Sequence, residues 1–366
     1  MGINIRKGLR AVAFPLLSIL VALLLGAIIM AVMGFNVGKA YGSLLNGAFG
    51  SLNSLSETMI QMVPLLFCAL SYAIAYRCGL INLGAEGQLY AGAVCGSIVG
   101  AHLSGLPAII HIPLCIIAGF IGGAVMGCIV GFLKMKFGAS ELITTIMLNY
   151  IVMEFVSFCV TNAPFKDMTP GAAPRMPIVQ DSAKLPLIMS GTRLHLGILL
   201  ALVGILVYYF FMWRTTRGYE MRVIGMNPNA GRYSGMNIRS NSILAMLIAG
   251  GFAGIGGTVQ IIGLQYFLTE GFSNNFGFSG IAVALLGNTH PLGIAVSSVL
   301  FGALNAGGVK MQLLAEVPAA AIYMIQGMII LFAVSRELFR WFGSGGKFIT
   351  QKLFKSGNKE KGGAAG

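Results

Sequence analysis

Seven apolar runs, each close to the length of a bilayer-crossing helix, restrict this chain to few folds. They are Val12–Met33, Met59–Tyr76, Ala108–Leu133, Leu142–Val160, Leu196–Trp213, Ser242–Ile261 and Ala319–Val334. Crossing the hydrocarbon core takes about 20 residues of apolar helix. Three shorter runs, Gln88–His102, Phe278–Leu286 and Gly293–Ala306, are interrupted by glycine. Lipid offers a backbone no hydrogen bonds, so such runs fold as helices. Broken ones persist only inside protein or along a water-filled cavity. The expectation is an all-α polytopic membrane protein of about ten transmembrane helices. Composition agrees, with 10% charged residues against about 25% in a soluble domain.

Basic residues give the direction. With the N-terminus inside, one side receives Arg6, Lys7, Arg10, Arg77, Lys134, Lys136, the five arginines from Arg214 to Arg239, and the seven basic residues from Arg336 onward. That is eighteen of the 24 Lys and Arg residues, and such an excess marks the cytoplasmic side. Residues 1–11 are then a cytoplasmic tail, 12–335 a transmembrane domain and 336–366 a basic cytoplasmic tail. Residues 214–241 form a cytoplasmic loop and 161–195 an extracellular one. Four runs between Met59 and Val160 begin from outside and four between Ser242 and Val334 from inside, the order of an inverted-topology repeat. The formal charge of +13 sits in loops and tail, where topology and anionic lipid account for it, so no nucleic acid is expected. The six cysteines lack CxxC spacing and read as packing residues, without a metal site or disulfide framework. Val12–Met33, at 22 residues, exceeds a signal-peptide core and is expected to remain as an anchoring helix.

Gly119, Gly123, Gly127 and Gly131 recur every four residues, as do Gly92, Gly96 and Gly100; such ladders let helix backbones approach closely in lipid. Polar residues inside the runs are the candidates for function. Gly79, Gly84 and Gly87 surround Asn82 and Glu86 and predict an interrupted helix. Glu86 there either lines a pathway beside a hinge or closes an interfacial turn by pairing with Arg77. Glu141, Thr145 and Asn149 share one helix face, while Glu154 lies about 140° further round. A polar stripe of this kind faces a cavity or makes interhelical hydrogen bonds. Asn82, Glu86, Thr145 and Asn149 are therefore the candidate translocation-pathway residues. Gly271–Gly293 reads as a discontinuous helix, in which His290 is either a proton relay or an ordinary loop histidine. Segment 161–195 is long enough to cap the outer face and meet a delivery protein, or else is a disordered connector.

The loop Arg214–Asn241 carries unusual punctuation. A short helix is expected over Tyr219–Ile224, ending at Gly225, then a turn at Asn227-Pro228 and a second short helix over Asn229–Ser234. This pattern, with Tyr219, Met221, Val223 and Tyr233 expected to be exposed, suits docking to a soluble partner; the alternative is a basic loop that only sets topology. No GxxxxGK[ST], HExxH or GxSxG motif occurs, so no ATP-hydrolysing site or catalytic constellation is expected on this chain. An ion-coupled carrier needs a titratable pair deep in the membrane, and only Glu154 falls clearly within a run.

Four segments, GLINLGAEGQ (Gly79–Gln88), ELITTIMLNYI (Glu141–Ile151), RGYEMRVIGMNPNAGRYSGMN (Arg217–Asn237) and GFSGIAVALLGNTHPLG (Gly277–Gly293), together resemble permease subunits of bacterial ABC importers. The branch is that of simple sugars, nucleosides and branched-chain amino acids. The likeness runs from about Met59 to Phe339 and is greatest to nucleoside-uptake permeases, with sugar permeases second. It implies a type II importer fold in a bacterial cell membrane, with both termini cytoplasmic. It implies an ATPase subunit, carrying ATP-Mg, that grips the loop through Gly218, Tyr219, Glu220, Arg222, Gly225, Asn227, Pro228, Arg232 and Tyr233. It also implies a second permease subunit, identical or paralogous, and an extracellular binding lipoprotein that delivers a small polar solute. No cofactor is implied on this chain. One departure is Gly231, where relatives commonly carry alanine; glycine costs a helix about 1 kcal/mol against alanine.

Overall fold

Among the described residues, each of the ten apolar runs overlaps a helix. The computed structural model describes residues 20–334; the expected tails, 1–11 and 336–366, and the start of the first run lie outside them. The helices are α1 (Leu20–Val32), α2 (Val37–Phe49), α3 (Leu52–Arg77), α4 (Ala85–His102), α5 (Ala108–Phe137), α6 (Glu141–Thr161) and α7 (Gly197–Arg214). Two short ones follow, α8 (Thr216–Met226) and α9 (Pro228–Tyr233). The chain then continues through α10 (Ile238–Gln260), α11 (Phe276–Leu286), α12 (Pro291–Ala315) and α13 (Ala319–Val334). A single π-helical turn, Ile261–Gln265, prolongs α10. Among the described residues no strand forms, and six helices are long and apolar enough to cross a membrane: α3, α5, α6, α7, α10 with its π turn, and α12.

Some boundaries differ from expectation. Gly293–Ala306 falls in the first two-thirds of α12 (Pro291–Ala315), whose 25 residues make about 37 Å of helix, so this is a full-length span despite its glycines. By contrast α11 has 11 residues, about 16 Å, half of a core of about 30 Å. Helix α2 has no counterpart in the expected elements, because its glycines, serine and asparagine lower the hydropathy. Asn36 caps it by accepting from the Lys39 N–H at 2.9 Å. Its face of Ala40, Ser43, Leu44, Gly47 and Ala48 is buried, with Gly47 against the backbone of Gly307 on α12.

The glycine ladders hold the centre. A Cβ on Gly123 or Gly127 would strike the carbonyl oxygens of Gly250 and Met246 on α10, and one on Gly92 would strike Gly254. Helix α10 therefore lies in backbone contact with α5 on one side and α4 on the other, the mode of association that lipid favours. Helix α3 is buried nearly all round, as a helix threading a bundle must be when it is apolar on every face.

Segment 161–195 is an ordered cap. Its backbone N–H groups at Met176, Val179 and Leu185 donate to the carbonyls of Leu268, Tyr266 and Ile262, and Gln180 N–H donates to Gly100. The ring of His111 on α5 bridges Ser182 Oγ at 2.8 Å and the Val99 carbonyl at 3.1 Å. The disordered alternative does not hold, because these bonds fasten the loop across the ends of α4, α5 and α10.

Candidate functional site

At the opposite end of the bundle α8 and α9 form a helical hairpin. Thr215 starts α8 by accepting from the Gly218 N–H at 3.1 Å. Asn227 starts α9 by accepting from the N–H groups of Asn229 and Ala230 at 3.0 and 3.2 Å, with Pro228 at the first position. This is the side-chain capping and N-terminal proline that open helices generally. The first helix is longer than the expected Tyr219–Ile224 at both ends, since Thr215 supplies a cap and Gly225 does not break it.

The hairpin has two faces. Gly218, Met221 and Ile224 are buried. An added Cβ on Gly218 would strike the Phe211 carbonyl of α7, and one on Gly225 would strike the Arg77 carbonyl of α3. These two glycines, seven residues apart and so on one side of α8, press the hairpin onto the membrane domain. Gly231 is buried as well, with an added Cβ 3.1 Å from the Ile224 side chain, where α9 packs back onto α8. Facing away are Tyr219 (55% exposed), Met226 (80%) and Tyr233 (94%), beside exposed Asn227, Pro228 and Arg232. Glu220 ties the hairpin sideways, accepting from Asn241 Nδ2 at 2.7 Å and pairing with Arg217 at 3.4 Å.

Behind the hairpin, Trp213 at the end of α7 takes two cations. The guanidinium of Arg77 lies 5.2 Å from its ring centroid and that of Arg222 5.8 Å, within cation–π range. Arg77 Nη2 also donates to the carbonyls of Thr289 and Asn288 at 3.2 and 3.4 Å, and Tyr208 Oη donates to Thr289 at 2.8 Å. The turn before α12 is thus fastened to the ends of α3 and α7. His290 in that turn meets the Trp213 ring edge, 6.0 Å between centroids.

From that turn α11 rises to the middle of the bundle, where its first turn meets the first turn of α4. Glu86 is 2% exposed and its Oε2 accepts from the Gly277 N–H at 2.5 Å. A carboxylate here satisfies an N–H group that helix geometry leaves free and meets the positive end of the helix dipole. The alternative pairing of Glu86 with Arg77 does not form, because Arg77 is drawn to carbonyls at the bundle end. Helix α4 receives the same treatment from α6: Asn149 Oδ1 accepts from the Gly87 N–H at 2.8 Å while Nδ2 donates to the Leu83 carbonyl at 2.9 Å. Gly84 stands at the N-cap position without a side chain, so α6 supplies the missing one.

Asn82 is fully buried and shares a network with Ser71 and Gln88. Its Nδ2 donates to Gln88 Oε1 at 2.9 Å and Ser71 Oγ at 3.1 Å, and its Oδ1 accepts from the Gly84 N–H at 3.0 Å. Thr145 is buried too, but donates to the Glu141 carbonyl one turn back at 2.7 Å. Glu141 pairs with Lys134 across the α5–α6 turn. Asn82, Thr145 and Asn149 come together, with Glu86 one turn away. The void bounded by Gly84, Gly87, Thr145 and Asn149 is about 10 Å³, room for about one water. Glu154 is exposed on the far face of α6. Ser71, Gln88, Trp213 and Gly277 escaped the sequence reading, because their partners come from distant segments.

A bundle of glycine-packed helices, with the first turns of two broken helices meeting inside it and a helical hairpin docked at one end, is the architecture of a polytopic membrane protein. The chain belongs to the family described as branched-chain amino acid transport system / permease component, which matches residues 54–334. It is 36% identical to the guanosine ABC transporter permease protein NupP of Bacillus subtilis, over 96% of this chain and 99% of the relative. It is 35% identical to the nucleoside ABC transporter permease protein NupB of Lactococcus lactis, over 86% and 91%. A glucose ABC transporter permease protein of Haloferax volcanii is 31% identical over 90% and 89%.

Proposed function

We propose that this chain is the membrane subunit of an ATP-driven importer of nucleosides. The observation that carries the reading is the hairpin, docked inward by Gly218 and Gly225 while Tyr219, Met226, Pro228, Arg232 and Tyr233 face away. A face of aromatic, apolar and arginine side chains is what protein interfaces select. Its occupant is a separate ATPase subunit, on which ATP-Mg is bound and hydrolysed, and the hairpin end is cytoplasmic, as are both termini. The capped opposite end, residues 161–195, receives solute from an extracellular binding lipoprotein, and a second permease, identical or paralogous, completes the assembly. Nucleosides are favoured because two relatives, 36% and 35% identical over most of their length, carry guanosine and nucleoside in their names; the glucose permease supports simple sugars as the second reading.

Force enters at α8, passes through Trp213 and Arg77 to the 287–290 turn, and reaches the Glu86–Gly277 junction through the short rod of α11. Asn82, Glu86, Thr145 and Asn149 border the pathway by holding its broken helices in register. The partner shifts this assembly only through unequal contact with two membrane conformations. Uptake of labelled nucleoside by the reconstituted assembly tests the reading. ATP-dependent uptake that vanishes without the ATPase supports it, competition by sugars in excess of nucleosides selects the second solute, and full uptake driven by a proton gradient alone overturns it.

A further inference from the structure

The residues that border the helix junction leave room for about one water, yet a cavity of about 280 Å³ opens elsewhere. Its walls are Gln61 of α3, Asn274 just before α11, Asn305, Val309 and Gln312 of α12, and Ala319, Ile322 and Tyr323 of α13. Asn305 lies about 21 Å along α12 and Gln312 about 31 Å, so the cavity reaches from the level of the α11 N-terminus toward the capped end. Asn274 and Asn275 both take left-handed backbone angles, φ 48° and 63°, a conformation asparagine tolerates, and this turn sets Asn274 in the wall. Gln326, itself 5% exposed, donates to Asn305 Oδ1 at 2.7 Å. That bond orients the Asn305 amide and leaves its Nδ2 to donate elsewhere.

We propose that this carboxamide-lined cavity is the station where solute rests inside the membrane, and that it selects neutral solutes bearing paired hydrogen-bond donors and acceptors. The proposal rests on the importer reading above. Gln61, Asn274 and Gln312 each offer a donor and an acceptor and Asn305 offers its Nδ2 donor, and such carboxamides are the groups with which Asn and Gln pair two-pronged to a nucleobase edge. The Tyr323 ring is a face on which a base can stack, and Val309 and Ile322 supply the apolar remainder that small-molecule sites require. No wall residue carries a charge. Val309 and Tyr323 are more than half exposed and Asn274 and Gln312 are exposed, so the cavity is open along one side; a phosphate, or an amino acid with its carboxylate and ammonium, would find no counter-charge among these walls. The volume, about 280 Å³, falls just short of the range of small-molecule sites, which begins near 300 Å³, and suits a small solute.

The test uses the complete assembly in proteoliposomes, with labelled uridine and labelled glucose as probes, and Asn305→Leu and Gln312→Leu as variants. Uptake of uridine is expected to fall about tenfold in each, one to two hydrogen bonds' worth, while ATP hydrolysis stays within about twofold of the parent. Asn305→Gln, which keeps the carboxamide, is expected to recover most of the uptake. Unchanged uptake in both leucine variants overturns the site, as does a parallel loss of uptake and hydrolysis. Failure of the importer reading looks different, because the parent assembly then moves neither probe in response to ATP. A parent that moves glucose and not uridine, with the same sensitivity at Asn305 and Gln312, keeps the cavity and changes its solute.

Discussion

Glu86 and Gly277 lie 191 residues apart in sequence and join the first turns of two opposed helices through one hydrogen bond. The close approach is steric as well as polar, since a Cβ on Gly277 would collide with the backbone of Glu86. Replacing Glu86 by alanine leaves the Gly277 N–H without its acceptor inside the bundle, at about 1–3 kcal/mol. We expect Glu86→Ala to lower the unfolding temperature in detergent and to abolish uptake, and Glu86→Gln, which still accepts, to lose less of both. Equal losses in the two variants would contradict this capping role.

Asn149 gives a second, independent case. Both of its polar atoms are used on the backbone of α4, at Gly87 and Leu83. Asn149→Ala orphans one donor and one acceptor and is expected to cost about 2–4 kcal/mol. Asn149→Asp keeps the acceptor at a helix N-terminus and is expected to fall between. Thermal unfolding of the three proteins side by side measures the order.

Much of this arrangement is legible in the chain. Spanning runs, glycine ladders and the Asn227-Pro228 cap are local signals, because hydropathy, close packing and capping act over a few residues. The hairpin's two faces are not legible in the same way: Met221 reads as an outward docking residue, yet it is fully buried, because docking against the membrane domain turns it inward with Gly218 and Ile224. The junction is not local. Asn82, Glu86 and Asn149 stand out as polar residues in apolar surroundings, but nothing near them indicates that Gly277, Gln88 or Leu83 are their partners. The carboxamide cavity is hidden for the same reason, as Gln61, Asn274, Asn305 and Gln312 come from separate segments with no shared period. Helix α2 escapes because its apolar face is short and mixed with small polar residues.

Arg77 and Trp213 connect the hairpin to α11, so weakening them is expected to affect transmission more than folding. Arg77→Lys keeps a cation but loses the planar fork that reaches both Trp213 and the Thr289 carbonyl. The expected result is uptake reduced about five- to tenfold, equivalent to about 1 kcal/mol, with ATP hydrolysis retained. Hydrolysis and uptake falling in proportion would remove Arg77 from the transmission route.

His195, just ahead of α7, is buried, and burial pulls its imidazole down to about 4 from the ordinary value near 6.5. Its Nδ1 accepts from the Gly197 N–H at 3.1 Å, a bond only the neutral ring can make. Between pH 6.5 and 4 the unfolded chain binds the proton and the folded one does not. Stability is therefore full above about 6.5 and declines as pH falls toward 4, by about 3 kcal/mol at most. Unfolding temperatures at pH 7.5 and 4.5 should differ more for the parent than for His195→Gln. Equal differences would contradict the assignment.

On the proposed function, ATP-driven motion enters through a hairpin seated on the membrane domain by glycine. Gly225→Val puts a branched side chain against the Arg77 carbonyl and the Gly79 N–H, lifting α8 from α3 without touching the outward face. The decisive measurement is the number of solute molecules moved per ATP hydrolysed in proteoliposomes of the complete assembly. The expected result is hydrolysis near the parent rate with that ratio down about tenfold, or about 1.4 kcal/mol of coupling. An unchanged ratio would contradict it.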